Sequence, residues 1–230
     1  ITEGAKHVLG WKSPNFLYTN SLNPKLKLLL RNASLSSDIN ERFTDTTWSE
    51  WPLTADKFAT WLSAIESNEE IVTLVIDYNQ LAEHNHKKTG IFDFFWHLPE
   101  KLISHKFRIM TPTEIVNEYQ PVAPLHVPYP ISGLDEERDL TSWMGNELQT
   151  EAISELYKLK KEINELDYDI LTRDFNCLQD SNYFLYMCTK MFTDNKVRET
   201  PYDTPYEAFI NYMNILSDME TRIKKLKRYK

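Results

Sequence analysis

Ile71-Val72-Thr73-Leu74-Val75-Ile76-Asp77-Tyr78 is an apolar run that ends in an acid, with Glu83-His84 following shortly after. Six mostly β-branched or apolar residues predict a short strand buried on both faces, as in parallel sheets. Parallel α/β architectures place chemistry at the C-terminal ends of their strands, so Asp77 is the first functional candidate. The structural alternative is an aspartate that opens a turn.

Upstream, Thr54 predicts the N-cap of a helix running to about Ser67, with Phe58, Trp61, Leu62 and Ile65 on one face. After the loop beyond Tyr78, a helix starts near Thr89. Its Ile91, Phe92, Phe94, Phe95 and Leu98 are apolar nearly all round, which predicts burial, and Pro99 is expected to end or bend it. Thr111-Pro112-Thr113-Glu114 has the form of a capping box. Helix, strand, loop, helix is the alternation of an α/β domain. Residues 120–131 hold four prolines and predict an extended linker.

From Asp135 the texture becomes helical. Leu148, Ala152, Leu156, Leu159 and Ile163 form one stripe, and Phe184, Met187, Cys188 and Met191 a second. A third begins behind Thr204-Pro205-Tyr206-Glu207 and runs through Phe209, Tyr212, Leu216, Met219 and Ile223. We expect three long helices in a small bundle. The methionine and aromatic stripes are core rather than cofactor boxes.

The composition narrows the function classes. The 230 residues carry a net charge of −8, which argues against nucleic acid as a partner. The basic tail from Arg222 to Arg228 is the C-terminal turn of a helix. No apolar run is long enough for a transmembrane helix, so no membrane partner is expected. Five glycines and the absence of G-x-G-x-x-G or G-x-x-x-x-G-K exclude a phosphate-cradling loop, and no cofactor is expected. Cys177 and Cys188 are too few for a disulfide framework or zinc site; they are expected in one helix as buried thiols, which favours a cytoplasmic location. Asn32-Ala33-Ser34 matches a glycosylation sequon and is read as a chance match. Aromatics reach 13%, a supply of flat faces for sugar rings or for a large core.

Several stretches then stand together: Thr2-Glu3-Gly4-Ala5, His7-Val8-Leu9-Gly10-Trp11-Lys12-Ser13-Pro14-Asn15, Leu28-Leu29-Leu30-Arg31-Asn32, Glu50-Trp51-Pro52-Leu53-Thr54, Asp77-Tyr78 with Glu83-His84, Trp143-Met144-Gly145-Asn146, and Pro201-Tyr202-Asp203. Together they resemble the α-amylase-type branch of glycoside hydrolase family 57. The resemblance implies an α/β fold: the C-terminal strands of a (β/α)7-type barrel over residues 1–130, followed by a helical domain over 131–230. It also implies action on α-glucans such as starch or glycogen by a retaining mechanism, with a glutamate nucleophile and an aspartate acid/base.

The family's acid/base motif usually reads Asp-Tyr-Glu-Thr-Phe-Gly-Glu-His. Here Asp77-Tyr78 and Glu83-His84 are kept, while Asn79-Gln80-Leu81-Ala82 replace the middle. The family's His-Gln-Pro motif and nucleophile glutamate are expected upstream of Ile1, where the chain opens without methionine. The chain then resembles only the C-terminal half of the enzyme, and its missing N-terminal half is an implied partner.

Asp77 is the catalytic candidate. Glu3 either lines the site or opens a loop. His7 and Trp11 are sugar-contacting candidates, with core or rim packing as the alternative. Glu83 and His84 are site-lining hydrogen bonders retained from the motif. A metal held by His84 and His86 lacks a third ligand of suitable spacing, so a solvated loop is the better reading. Trp143 either projects over a cleft or packs between domains. The leading function is the acid/base-carrying portion of an α-glucan-active glycoside hydrolase, which alone would be inactive for want of the nucleophile. The alternative is a catalytically silent glucan-binding or regulatory relative with a degenerate loop.

Overall fold

A computed structural model describes residues 1–81, 85–135, 137–190 and 200–229. They form an α/β chain in two compact units, residues 1–133 and 134–230.

The first unit is organised by short strands with helices around them. A continuous extended stretch carries β3 (Lys27–Leu28) and β4 (Leu30–Arg31). Its first part pairs antiparallel with β2 (Tyr18–Asn20), and its second part pairs parallel with β1 (Thr2–Glu3). Alternation sends successive leucines to opposite faces: Leu28 and Leu30 pack with Leu9, Tyr18 and Leu125, whereas Leu29 packs with Leu17 and Ile71. On the far side of β2 lies β5 (Ala123–Leu125), in parallel register with Tyr18 opposite Ala123. The proline-rich stretch 120–131 thus contributes a three-residue strand to this sheet before the first unit ends at Gly133. Pro124 is tolerated because β5 is an edge strand in the order β3-β2-β5.

The apolar run 71–76 departs from its expectation. It does not form a regular strand but touches β4 through a single parallel bridge, Thr73 opposite Arg31. The Asn32 amide donates to the Thr73 carbonyl at 2.8 Å. Beyond Thr73, side chains of α2 (Ala33–Asn40) replace the ladder. Val75 donates its amide to Ser36 Oγ at 3.1 Å, Asn40 Nδ2 donates to the Val75 carbonyl at 3.1 Å, and Asp77 donates its amide to Asn40 Oδ1 at 3.2 Å. A backbone satisfied by helix side chains has no need of a strand partner. Nor is the run buried on both faces: Ile71 is buried, but Val75 is 38% exposed.

The helix α3 (Ala55–Ser63) starts at Thr54, whose hydroxyl accepts from the Lys57 amide, and stops earlier than expected. The helix α4 (Ile91–Ser104) runs through Pro99 without ending there. Phe94 and Leu98 join Phe58 and Ile39 in the core, but Phe92 and Trp96 face solvent, so α4 is amphipathic rather than buried all round. The capping box at Thr111 opens α5 (Pro112–Glu118) with both reciprocal bonds formed.

The second unit is helical: α6 (Thr141–Met144), α7 (Glu147–Leu166), α8 (Asp169–Leu178), α9 (Ser181–Tyr186) and α10 (Pro205–Tyr229). Among the described residues two helices are long rather than three, because Asp180 caps a short helix that ends at Tyr186 within the middle stripe; Met191 of that stripe lies outside the described residues. Leu156, Leu159 and Ile163 of α7 pack with Phe175, Tyr212, Leu216 and Met219. The Tyr212 hydroxyl, buried in this core, donates to the Leu178 carbonyl at 2.8 Å, and burial pushes its pKa upward. Gln149 is fully buried and fully used: its Nε2 donates to the carbonyls of Ser142 and Phe184, and its Oε1 accepts from the amides of Gly145 and Asn146. The Thr204 segment differs from a capping box, since Glu207 reaches the Asp203 amide instead of that of Thr204. Cys177 and Cys188 lie on different segments, and only Cys188 is buried.

Candidate active site

Three parallel segments lie side by side in the order β1, β4, 71–76. Each ends in a charged residue: Glu3, Arg31 and Asp77. Arg31 Nη1 donates to Glu3 Oε1 at 3.0 Å, with both side chains buried, and Arg31 Nη2 donates to Ser37 Oγ at 3.2 Å. Two glycines allow this packing. A Cβ on Gly4 would lie 2.2 Å from the Arg31 carbonyl oxygen, and one on Gly133 would lie 2.7 Å from Glu3 Oε2.

The segments are not flush. Glu3 is level with Arg31, and Arg31 is level with Thr73. Asp77 follows four residues later, up to about 13 Å further along the strand direction at 3.3 Å per residue. Two strand spacings add roughly 10 Å sideways. The backbones of Glu3 and Asp77 are thus much further apart than the ~5 Å carboxylate separation of a retaining pair. Asp77 itself is exposed.

The remaining candidates divide. His7 lies in α1 (Lys6–Leu9), which follows directly on the C-terminal end of β1, and its ring stacks on Tyr129 at 5.9 Å and 21°. Trp11, just after α1, is 92% exposed, with Lys12 Nζ 5.7 Å from its ring centre. Trp143 belongs to the helical unit, where it packs against the α7–α10 core. Glu83 and His84 lie outside the described residues. Among the described residues no group of three His, Cys, Asp or Glu side chains is placed to hold a metal, and no helix is long and apolar enough to cross a membrane.

Beside the strand ends, Asn15 and Asn32 carry a polar network. Asn32 Oδ1 caps α2 through the Leu35 amide at 3.1 Å, and its Nδ2 donates to Asn15 Oδ1 at 3.0 Å. The sequon's amide nitrogen is thus engaged inside the fold. Asn15 in turn donates to Glu69, and its carbonyl accepts from the Ile71 amide at 3.0 Å.

Arg31 escaped the sequence reading, although Leu28-Leu29-Leu30-Arg31 has the same form as 71–77, an apolar run ending in a charge. A concave site of about 410 Å³ between α3 and α4, lined in part by Trp51, also went unread, because its residues come from stretches forty positions apart.

Comparison with known proteins bears on the family. The model of glycosyl hydrolase family 57 matches residues 1–128. A curated relative from Methanocaldococcus jannaschii, named "Putative alpha-amylase", is 36% identical over 98% of this chain. The chain spans about half the length of that relative. No solved structure matches significantly. A family model covering more than half of the chain, matched to the unit that carries Asp77, settles the affiliation: the chain belongs to glycosyl hydrolase family 57.

Proposed function

We propose that this chain is the C-terminal half of a retaining glycoside hydrolase acting on α-glucans, with Asp77 as its acid/base. In this reading residues 1–130 are the last strands of a (β/α)7-type barrel and residues 131–230 a helical domain. The observation that carries it is the placement of Asp77 at the C-terminal end of an extended segment parallel to β4, with Glu3 and Arg31 ending the neighbouring strands. That end is where barrels assemble their chemistry.

The chemistry assigned to Asp77 is proton donation to the leaving glycosidic oxygen, followed by activation of water for the second step. Glu3 is bound to Arg31 and holds the strand ends in register rather than attacking the sugar. The nucleophile comes from the missing half, which must bring a carboxylate within roughly 5 Å of the opposite side of the anomeric carbon. His7 with Tyr129, and Trp11, offer rings to the glucan. Glu83 and His84 are kept as site-lining groups, and Trp143 as a candidate contact from the helical unit.

A second reading is favoured by one observation: Asn79 replaces the inner acid of the family motif and Ala82 its glycine. A lost carboxylate removes a charge that tunes the neighbouring acid. The chain would then be a silent glucan-binding relative.

The test is a reducing-sugar assay on soluble starch, with residues 1–230 alone and with an added N-terminal half of a family member. The expected result is no turnover alone and turnover when complemented, falling at least ~10²-fold in Asp77→Asn. Turnover by the chain alone would place the nucleophile within it and overturn the assignment. A complemented pair that binds starch without cleaving it would favour the silent relative.

A further inference from the structure

The concave site between α3 and α4 has the make-up of a sugar subsite. Its floor is apolar, formed by Phe43, Leu53 and Phe94 of the helical core. Trp51 also lines it and is 47% exposed. A half-exposed tryptophan beside apolar residues offers aromatic surface that the fold does not bury.

The lining from α4 includes polar residues at regular spacing. Asp93, His97 and Lys101 recur every four residues along α4 and so share one face. Lys101 Nζ meets Asp56 Oδ1 of α3 at 2.9 Å. The hydrogen bond and charge of Lys101 hold the Asp56 carboxyl below its ordinary range, so the lining keeps an ionised acceptor. Carboxylates accept from vicinal hydroxyls, an ammonium donates to ring or hydroxyl oxygens, and an indole covers the C–H face of a pyranose. A site of about 410 Å³ with an apolar base and a few convergent polar groups lies in the size range of small-ligand pockets. It shares no residue with Asp77, Glu3 or Arg31.

We propose that this cavity is a second saccharide-binding site, which seats a glucosyl unit of an α-glucan against Trp51 with Asp93, His97 and the Asp56–Lys101 pair on its hydroxyls. The identity of the sugar as an α-glucan rests on the functional reading above; the saccharide class rests on the cavity itself. The site holds the polymer without reacting with it. No bond is made or broken there.

The experiment is affinity electrophoresis of the 230-residue chain in gels containing soluble starch, with cellulose oligosaccharides as a competing control, followed by calorimetric titration with maltoheptaose. Retardation by starch is expected. Trp51→Ala and, independently, the exposed-residue change Asp93→Ala should each weaken maltoheptaose binding roughly tenfold or more, as aromatic and charged anchors of small sites do. Thermal unfolding of both variants shows whether either has lost its fold, and Asp93→Ala serves if Trp51→Ala has. Absence of starch retardation in the wild-type chain overturns the proposal, as does binding unchanged in both Trp51→Ala and Asp93→Ala. The two readings fail separately. Binding lost in the cavity variants while the complemented pair never hydrolyses starch sinks only the enzymatic assignment. Hydrolysis by the complemented pair without any dependence of binding on Trp51 or Asp93 sinks only the second site.

Discussion

Replacing Arg31 with methionine isolates the ion pair at the ends of β1 and β4. The Arg31 and Glu3 side chains are 8% and 7% exposed, so loss of the guanidinium takes a hydrogen-bonded cation away from a buried carboxylate. Removing one member of such a pair costs about 3–5 kcal/mol, whereas replacing both by apolar residues of similar volume is near neutral. With a urea dependence of about 2 kcal/mol per molar, the unfolding midpoint should fall by roughly 1.5–2.5 M in Arg31→Met. Tryptophan fluorescence follows the right unit, since five of the six tryptophans lie in residues 1–133. Glu3→Met should show a loss of the same sign, and the Glu3→Met/Arg31→Met double variant should recover to within about 1 kcal/mol of the parent. Ser37, left without the Arg31 donor, still has Glu41 as a partner at 3.2 Å. Single-variant losses below about 1 kcal/mol, or a double variant as unstable as the sum of the singles, would refute the account of a desolvated, mutually dependent pair.

The other predictions concern packing and pH. Gly4→Ala sets a methyl group 2.2 Å from the Arg31 carbonyl oxygen and should destabilise the first unit by about 1–3 kcal/mol, read by thermal unfolding; an unchanged midpoint would contradict the close approach. In the helical unit, burial pushes the Asp135 pKa up, but hydrogen bonds from Ser142 and Lys190 and the charge of Lys190 outweigh it and leave the carboxyl below its ordinary value. A depressed folded pKa contributes stability that is fully present above the unfolded value near 4 and lost as pH falls through the folded one. The helical unit should therefore lose stability below about pH 4, and Asp135→Asn should flatten that loss when circular dichroism at 222 nm is followed through acid unfolding. An acid limb of equal slope in the variant would count against Asp135 as its source.

Local chemistry was the most legible part of the chain. Thr54 and Thr111 begin helices because a hydroxyl before a helical run satisfies an otherwise unpaired amide, and this depends on neighbours alone. The apolar stripes of α7 and α10 were legible for the same reason. Segment 71–76 shows the limit. β-branched composition favours extended backbone, but whether that backbone finds a strand or the side chains of Ser36 and Asn40 is a tertiary matter. Prolines hid β5, since only the sheet order reveals it to be an edge. The exposed side of α4, with Phe92 and Trp96, was hidden by a composition that argues for burial. In the candidate site Asp77 stood out by its position after an apolar run, whereas the Arg31–Glu3 pair and the Trp51 cavity needed distant segments brought together.

The pairing of β2 with β5 has a consequence for biosynthesis. The bond between Ser21 and His126, just beyond these strands, closes a separation of 105 residues. At about 5–20 residues per second, the partner of Tyr18–Asn20 leaves the ribosome some 5–20 s after the strand itself. During that interval β2 offers an unpaired edge on the side that β5 will cover, and nascent chains on one polysome present the same edge to each other. Chaperone occupancy of the emerging chain should therefore be densest between the exit of Asn20 and that of Leu125, and should drop once the third strand of that sheet is in place.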